Sequence, residues 1–102
     1  MYIRVIAATV VSCCAMAVAA QDVSEGEALY QDACRSCHGP EAGGMASFPR
    51  LAGREEDYLT MRLEQYRAGE RVGANSALMQ PNAADLTDAD IANLAAYIAT
   101  FE

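Results

Sequence analysis

The sequence has 102 residues, 53% of them hydrophobic, and 14 acidic against seven basic side chains give a net charge of −7. This length allows one small domain and excludes two separate cores or a barrel-sized enzyme. The acidic balance argues against a surface that binds nucleic acid or another polyanion.

The first 20 residues have the pattern of a secretory signal peptide. Arg4 is their only charged residue, an apolar run covers residues 5–18, and small residues follow. A run of this length is short for a membrane span, so we expect export, cleavage near residue 20 and a mature domain over residues 21–102. An uncleaved anchor is one alternative, and residues 10–13 loosely resemble a lipoprotein cleavage box.

Cleavage would leave Cys34 and Cys37 as the only cysteines of the mature domain. A single pair cannot form the multi-disulfide framework that is typical of small exported domains. Because a domain of this size buries a modest apolar core, we expect a metal or cofactor to contribute to its stability. Six arginines and 14 carboxylates would give the mature domain a net charge of −8.

A capping box predicts the start of the first helix of the mature domain. Ser24 as N-cap and Glu27 three residues later fit such a box, so we expect a helix from about Glu25 into the cysteine pair. Gly26 inside this helix costs about 1 kcal/mol relative to alanine. Close passage of another helix would explain the glycine, and we expect the last helix to cross there.

The two cysteines and the only histidine form the pattern C-x-x-C-H. This pattern attaches c-type haem, because two thiols on one helical turn can each join a vinyl group while the adjacent imidazole reaches the iron. We therefore predict one haem c per chain, bound through Cys34, Cys37 and His38. A thioredoxin-like dithiol would require a strand pattern that the sequence lacks. A structural zinc site would need four ligands, and only three are present.

A loop and a helix are predicted next. Glycine and proline are frequent over residues 38–53, which favours a loop along one side of the haem. Apolar spacing predicts a helix over residues 55–68, ended by Gly69. Its expected inward side chains are Leu59, Leu63 and Tyr66, and its expected outward ones are Arg62, Glu64 and Arg67.

A second loop and a last helix complete the chain. Residues 70–85 are predicted to be a loop that covers the other side of the haem. A second capping box, formed by Thr87 and Asp90, starts the last helix. The apolar positions of this helix recur at helical spacing and predict one buried face. They are Ile91, Leu94, Ala95, Ile98 and Phe101.

The sixth ligand of the iron separates two classes of haem protein. Iron with one protein ligand binds gases or peroxide, whereas two ligands are typical of electron transfer. A second histidine is excluded because His38 is the only one, so the candidates in the mature domain are Met45, Met61 and Met79. Met61 falls within a predicted helix, where a packing role is favoured. Met45 is within reach of the iron, but its loop would be strained.

These features together resemble the class I cytochromes c, specifically the small bacterial monohaem type that is similar to one half of a dihaem cytochrome c4, and to cytochrome c553. The resemblance covers residues 23–101 and rests on the order of several short motifs. They are Gly26 and Tyr30, the haem motif, Pro49 to Gly53, Tyr58 and Leu59 with Leu63, Tyr66 and Arg67, Gly69 and Arg71, Leu86 to Ile91, and Leu94 to Tyr97. It implies an all-α fold of three to four helices packed around one covalently bound haem.

The resemblance also implies roles for individual residues. It favours Met79, which lies 41 residues past His38, as the second axial ligand. Residues 75–80 depart from the family pattern, in which a proline and paired methionines are common. The carbonyl of Pro49 would accept the N–H of His38, and an ordinary loop proline is the alternative. Apart from the resemblance, buried anions need donors, and the candidates for binding the haem propionates are Tyr58, Tyr66, Arg50 and Arg71. The alternative for each is a core aromatic or a solvated charge.

The expected function is electron transfer in the bacterial periplasm between donor and acceptor proteins that dock transiently. Neither nucleic acid binding nor stable membrane insertion of the mature chain is expected. No nucleophile and base pair is available, so the chain is not expected to be an enzyme. Two alternatives remain: a ligand-binding or sensor protein with five-coordinate haem, and a cytochrome subunit of a periplasmic dehydrogenase. The arginines of the mature domain all fall within residues 35–71, an asymmetry that either steers docking or belongs to a solvated acidic surface.

Overall fold

A computed structural model describes residues 7–11, 21–46 and 48–102. In these ranges the chain forms five helices and no β-strand, which confirms the all-α prediction. The helices are α1 (Val23–Ala33), α2 (Arg35–His38), α3 (Glu56–Arg67), α4 (Ser76–Ala83) and α5 (Asp88–Ile98). Two more elements are present than the three helices that the sequence placed, because a one-turn helix carries the haem motif and α4 lies in a predicted loop.

The predicted signal peptide and its lipoprotein alternative fall on residues 1–20, which lie outside the described residues except for 7–11. Residues 7–11 have no regular secondary structure, and their side chains are exposed. Within the part of the chain that is described, none of the helices combines the length and apolar character needed to span a bilayer.

Helix α1 begins about two residues earlier than predicted. Asp22 is its N-cap and accepts a hydrogen bond from the N–H of Glu25 at 3.1 Å. The N–H of Asp22 in turn donates to Oδ1 of Asn93 at 2.8 Å. The predicted capping box of Ser24 and Glu27 is therefore wrong, since both residues lie inside the helix. The hydrogen bond to Asn93, which lies on α5, is made by Asp22 and so favours Asp22 over Ser24 as the N-cap.

Helices α1 and α5 cross at Gly26, as the sequence predicted. A Cβ atom on Gly26 would overlap the carbonyl oxygen of Asn93 and lie 3.0 Å from the Cβ of Tyr97. The rings of Tyr30 and Tyr97 pack beside this point with centroids 5.5 Å apart. Because α1 leads directly into the haem motif, this crossing fixes the motif relative to α5.

The predicted boundaries of α3 and α5 are confirmed. Thr87 and Asp90 form a capping box at the start of α5, with both reciprocal hydrogen bonds at 3.0 Å. The C-terminus of α3 is closed by Gly69, whose φ of 78° allows the N–H of Glu70 to donate to the carbonyl of Gln65 at 2.9 Å. Of the predicted inward positions of α5, four are buried: Ile91, Leu94, Ala95 and Ile98.

The two predicted loops have different outcomes. The described residues between 39 and 55 contain no helix, and their only β pairing is an isolated bridge between Met45 and Phe48. The prediction for residues 70–85 is wrong, because α4 occupies Ser76–Ala83. Pro81 lies inside α4, and because proline lacks an N–H it is a strong signal against a helix at that position.

Candidate functional site

A single cavity brings the predicted site residues together. Its volume is about 420 Å³, and small-molecule pockets generally span roughly 300–1,000 Å³. Cys34, Cys37, His38, Pro49 and Met79 all line it. Much of the remaining wall is apolar and includes Leu51, Leu59, Leu63, Leu86, Leu94 and Ile98. The cavity therefore offers sulfur and imidazole groups within an apolar enclosure.

The cysteine pair lies on the short turn of α2. Cys34 is the N-cap of this helix, and Cys37 follows one turn later. Both are free thiols and half-buried. Burial, followed by the effect of Cys37, raises the pKa of the Cys34 thiol to about 11. A redox-active dithiol needs a lowered thiol pKa, so this environment argues against the thioredoxin-like alternative.

His38 is buried, and its ring orientation is set by the loop that follows. Its Nδ1 lies 2.9 Å from the carbonyl oxygen of Pro49. Because a carbonyl can only accept, Nδ1 carries a proton, and in the neutral ring the free lone pair is then on Nε2. The loop itself is held by the N–H of Gly44, which donates to the carbonyl of His38 at 2.8 Å. An imidazole with a free Nε2 is thus fixed at the cavity wall.

The three candidate methionines of residues 21–102 differ in their position relative to the cavity. Met79, on α4, is half-buried and lines it. Met61 on α3 and Met45 in the first loop are exposed to 43% and 46%, and neither lines the cavity. Met79 is therefore the methionine that shares a cavity with His38.

A cationic and aromatic cluster lines another part of the cavity. The guanidinium carbons of Arg54 and Arg62 each lie 5.3 Å from the ring centroid of Tyr58. Nε of Arg62 donates to the Tyr58 hydroxyl at 3.3 Å, and this hydrogen bond lowers the pKa of Tyr58. We call Arg54, Tyr58 and Arg62 the arginine–tyrosine cluster.

The cluster differs from the residues that the sequence suggested for anion binding. Tyr58, Tyr66 and Arg50 do line the cavity, but Arg71 is exposed and does not. Arg62 was expected to face outward from α3, which is wrong, because its long side chain reaches the cavity and Tyr58. Arg54 was not singled out, since nothing in its local sequence separates it from a solvated charge.

Comparison with known proteins identifies the family. A family model described as Cytochrome c matches residues 23–102. The chain belongs to the cytochrome c family. It is 40% identical over 91 residues to cytochrome c-554(547) of Halothiobacillus neapolitanus, an alignment that covers 81% of this chain and 100% of that protein. Cytochrome c-554(548) of Halomonas halodenitrificans is 44% identical over 70 residues, covering 68% of this chain and 84% of the relative.

A third relative bears on the predicted resemblance to half of a dihaem protein. Cytochrome c4 of Thiocapsa roseopersicina is 36% identical over 86 residues, which cover 74% of this chain but 45% of that protein. The chain thus aligns with somewhat less than half of this cytochrome c4. The predicted resemblance to the class I monohaem type is confirmed.

Family membership gives the cavity an occupant that its residues fit. A cytochrome c carries covalently bound haem c, and the C-x-x-C-H motif that attaches it lies on the cavity wall. The apolar residues suit a porphyrin face, and the arginine–tyrosine cluster supplies donors for carboxylates. The protein is therefore a haem-binding electron-transfer protein.

Tyr30 is hydrogen-bonded to Gly39, the residue that follows the haem motif. Removal of its hydroxyl should change how the free energy of unfolding depends on pH under alkaline conditions. Its buried hydroxyl donates to the carbonyl of Gly39 at 2.6 Å, and burial raises its pKa from 10.0 to about 12. Between pH 10 and 12 the unfolded state loses this proton and the folded state keeps it, so stability falls as the pH rises. Urea unfolding of Tyr30→Phe should show a shallower fall over this window.

The same variant should lose about 1 kcal/mol at neutral pH, because the Gly39 carbonyl would keep only the longer hydrogen bond from the N–H of Ala42, at 3.3 Å. Tyr66→Phe is the matched control, since it removes the same hydroxyl from a tyrosine that is half-buried, whereas Tyr30 is fully buried. Equal pH slopes for wild type and Tyr30→Phe would show that Tyr30 does not control alkaline unfolding.

Proposed function

We propose that this chain is a periplasmic electron carrier in which Cys34 and Cys37 bind haem c through thioethers, and His38 and Met79 are its axial ligands. The observation that carries the proposal is the presence of one oriented imidazole and one thioether on the wall of the same cavity. When bound, haem c supplies a one-electron change between ferric and ferrous iron.

His38 would act as the proximal ligand through Nε2. Its Nδ1–H donates to the Pro49 carbonyl, which fixes the tautomer and the ring plane and increases the basicity of Nε2. The residue is 6% exposed, so water has little access to the imidazole. Pro49 therefore has a positioning role that goes beyond shaping the loop.

Met79 would occupy the sixth position and keep small molecules from it. A thioether ligand stabilises ferrous iron and so raises the reduction potential. Met45 and Met61 are both exposed and neither lines the cavity, which supports the choice of Met79. A site with two protein ligands in both oxidation states needs little rearrangement when an electron is transferred.

The arginine–tyrosine cluster would bind the haem propionates. Among the described residues the one ion pair joins Arg67 to Asp88, so neither Arg54 nor Arg62 has a carboxylate partner there. Both guanidinium groups lie beside the Tyr58 ring and add positive charge to this part of the cavity wall, which favours a bound anion there. A propionate carboxylate would accept hydrogen bonds from this cluster and offset its positive charge.

Export and the choice of partner complete the proposal. Residues 1–20 would be cleaved as a signal peptide, which leaves a domain that docks transiently with redox proteins and has no catalytic residues of its own. One relative favours a specific kind of partner. A protein of Stutzerimonas stutzeri named thiosulfate dehydrogenase electron acceptor is 44% identical over 66 residues, covering 63% of this chain and 29% of that protein. Accepting electrons from a periplasmic dehydrogenase is accordingly the second candidate role.

Voltammetry of the exported, haem-loaded protein tests the carrier role. A carrier whose ligands stay bound should give one reversible one-electron wave whose peak separation stays small as the scan rate increases. A sensor whose iron gains or loses a ligand should give a separation that grows with scan rate, because the ligand exchange limits the electron transfer. The second outcome would reject the carrier role. Mass spectrometry of the same sample reports cleavage and one covalent haem per chain.

A further inference from the structure

We infer that Ser76 and Gln80 are positioning residues that hold α4, and with it Met79, against the cavity. The inference rests on the proposed ligation by Met79. Helix α4 has eight residues and contains Pro81. Isolated helices shorter than roughly 12 residues are marginal in water, and an interior proline removes one backbone hydrogen bond. Contacts outside α4 must therefore fix it in place.

Ser76 provides the first of these contacts. It is the first residue of α4 and is 3% exposed. Its hydroxyl oxygen accepts hydrogen bonds from the N–H groups of Val72 and Gly73, both at 2.8 Å. The two bonds use both lone pairs of the hydroxyl and fold the preceding segment against the start of the helix. The N–H of Ser76 also donates to the carbonyl of Gly73, at 3.2 Å, whereas the side chain of the N-cap, Asn75, makes no capping bond.

Gln80 provides the second contact, one turn further along. Its Nε2 donates to the carbonyls of Gly69 and Glu70, at 3.1 and 3.3 Å. Both acceptors lie at the turn that closes α3, a helix whose side chains line the cavity. Gln80 therefore ties the middle of α4 to the end of α3.

Met79 lies between these two anchors. Ser76 and Gln80 are four residues apart and share a face of α4, while Met79 directly precedes Gln80 and is three residues past Ser76. Loss of either anchor should let α4 move and reduce the fraction of molecules with Met79 at the iron. The serine and the glutamine would thus control how firmly the sixth position is closed.

Carbon monoxide affinity of the ferrous protein tests the inference, because the gas competes with Met79 for the iron. The apparent affinity equals the intrinsic affinity multiplied by the fraction of open sites. Ser76→Ala and Gln80→Ala each remove two hydrogen bonds and should each raise it about fivefold or more, since loss of a single hydrogen bond already produces about a fivefold change. Ser24→Ala, an exposed serine on α1, is the matched control and should leave it unchanged.

A double-mutant cycle separates this inference from the ligation itself. Met79→Ala sets the upper limit of affinity, and adding Ser76→Ala or Gln80→Ala to it should have no further effect. If Met79→Ala leaves the affinity unchanged, the proposed ligation is wrong. If Met79→Ala raises the affinity and neither anchor variant does, the ligation stands and the positioning role is rejected. Gln80→Ala changes a largely solvent-facing contact and keeps the test valid if Ser76→Ala does not fold.

Discussion

Replacing Gly26 with alanine should remove about 3 kcal/mol or more of the stability of the holoprotein. The added Cβ would overlap the carbonyl oxygen of Asn93 and lie 2.6 Å from its carbonyl carbon. Backbone atoms cannot rotate away as a flexible side chain can, so α1 and α5 would have to separate. Domains are stable by about 5–15 kcal/mol, and a loss of this size is a large fraction of that.

Urea unfolding followed by circular dichroism measures this loss, with the yield of haem-loaded protein as a second readout. Gly43→Ala is the matched control, because a Cβ at Gly43 meets nothing within 4 Å and its φ is not positive. A midpoint for Gly26→Ala equal to that of Gly43→Ala would contradict the close crossing of α1 and α5.

Replacing Met79 with alanine should lower the reduction potential on the order of 0.1 V, within the roughly 0.8 V range that axial ligands produce. The reason is that the thioether stabilises ferrous iron, and water or hydroxide in its place favours ferric iron. The fold should survive, because Met79 is half-buried and lies on a short helix next to the cavity.

Potentiometric titration of the two proteins gives this shift. Met61→Ala and Met45→Ala are controls of the same chemistry at exposed positions, and their potentials should stay close to that of wild type. A fall in potential for either control, with no change for Met79→Ala, would show that the other methionine, and not Met79, is the sixth ligand.

Local sequence patterns predicted much of the fold. The apolar spacing of α3 and the capping box of Thr87 and Asp90 act within a few residues, so they are visible without a structure. Gly26 was informative because a glycine inside a helix is costly and needs a reason. The true N-cap of α1, Asp22, was missed because its advantage over Ser24 comes from a hydrogen bond to Asn93. Such long-range contacts leave no local signal.

The residues of the candidate site likewise fall into those with a local sequence signal and those without one. The residues of the C-x-x-C-H motif are contiguous, so their chemistry could be read directly, whereas Met79 depended on the resemblance to a family. Helix α4 was missed because its stability comes from Ser76 and Gln80 contacting other segments rather than from helix propensity. Arg62 was placed on the wrong side although it is three residues past Leu59 and four before Tyr66, spacings that put it at the edge of the inward face, from where a long side chain reaches the cavity.

Ligation of the iron by both His38 and Met79 is tested most directly by the absorption spectrum of the reduced protein with and without carbon monoxide. We expect the wild-type spectrum to be low-spin and little changed by a concentration of the gas that saturates Met79→Ala. Ready binding of carbon monoxide by wild type, to the same extent as by Met79→Ala, would contradict this ligation and favour a ligand-binding or sensor protein.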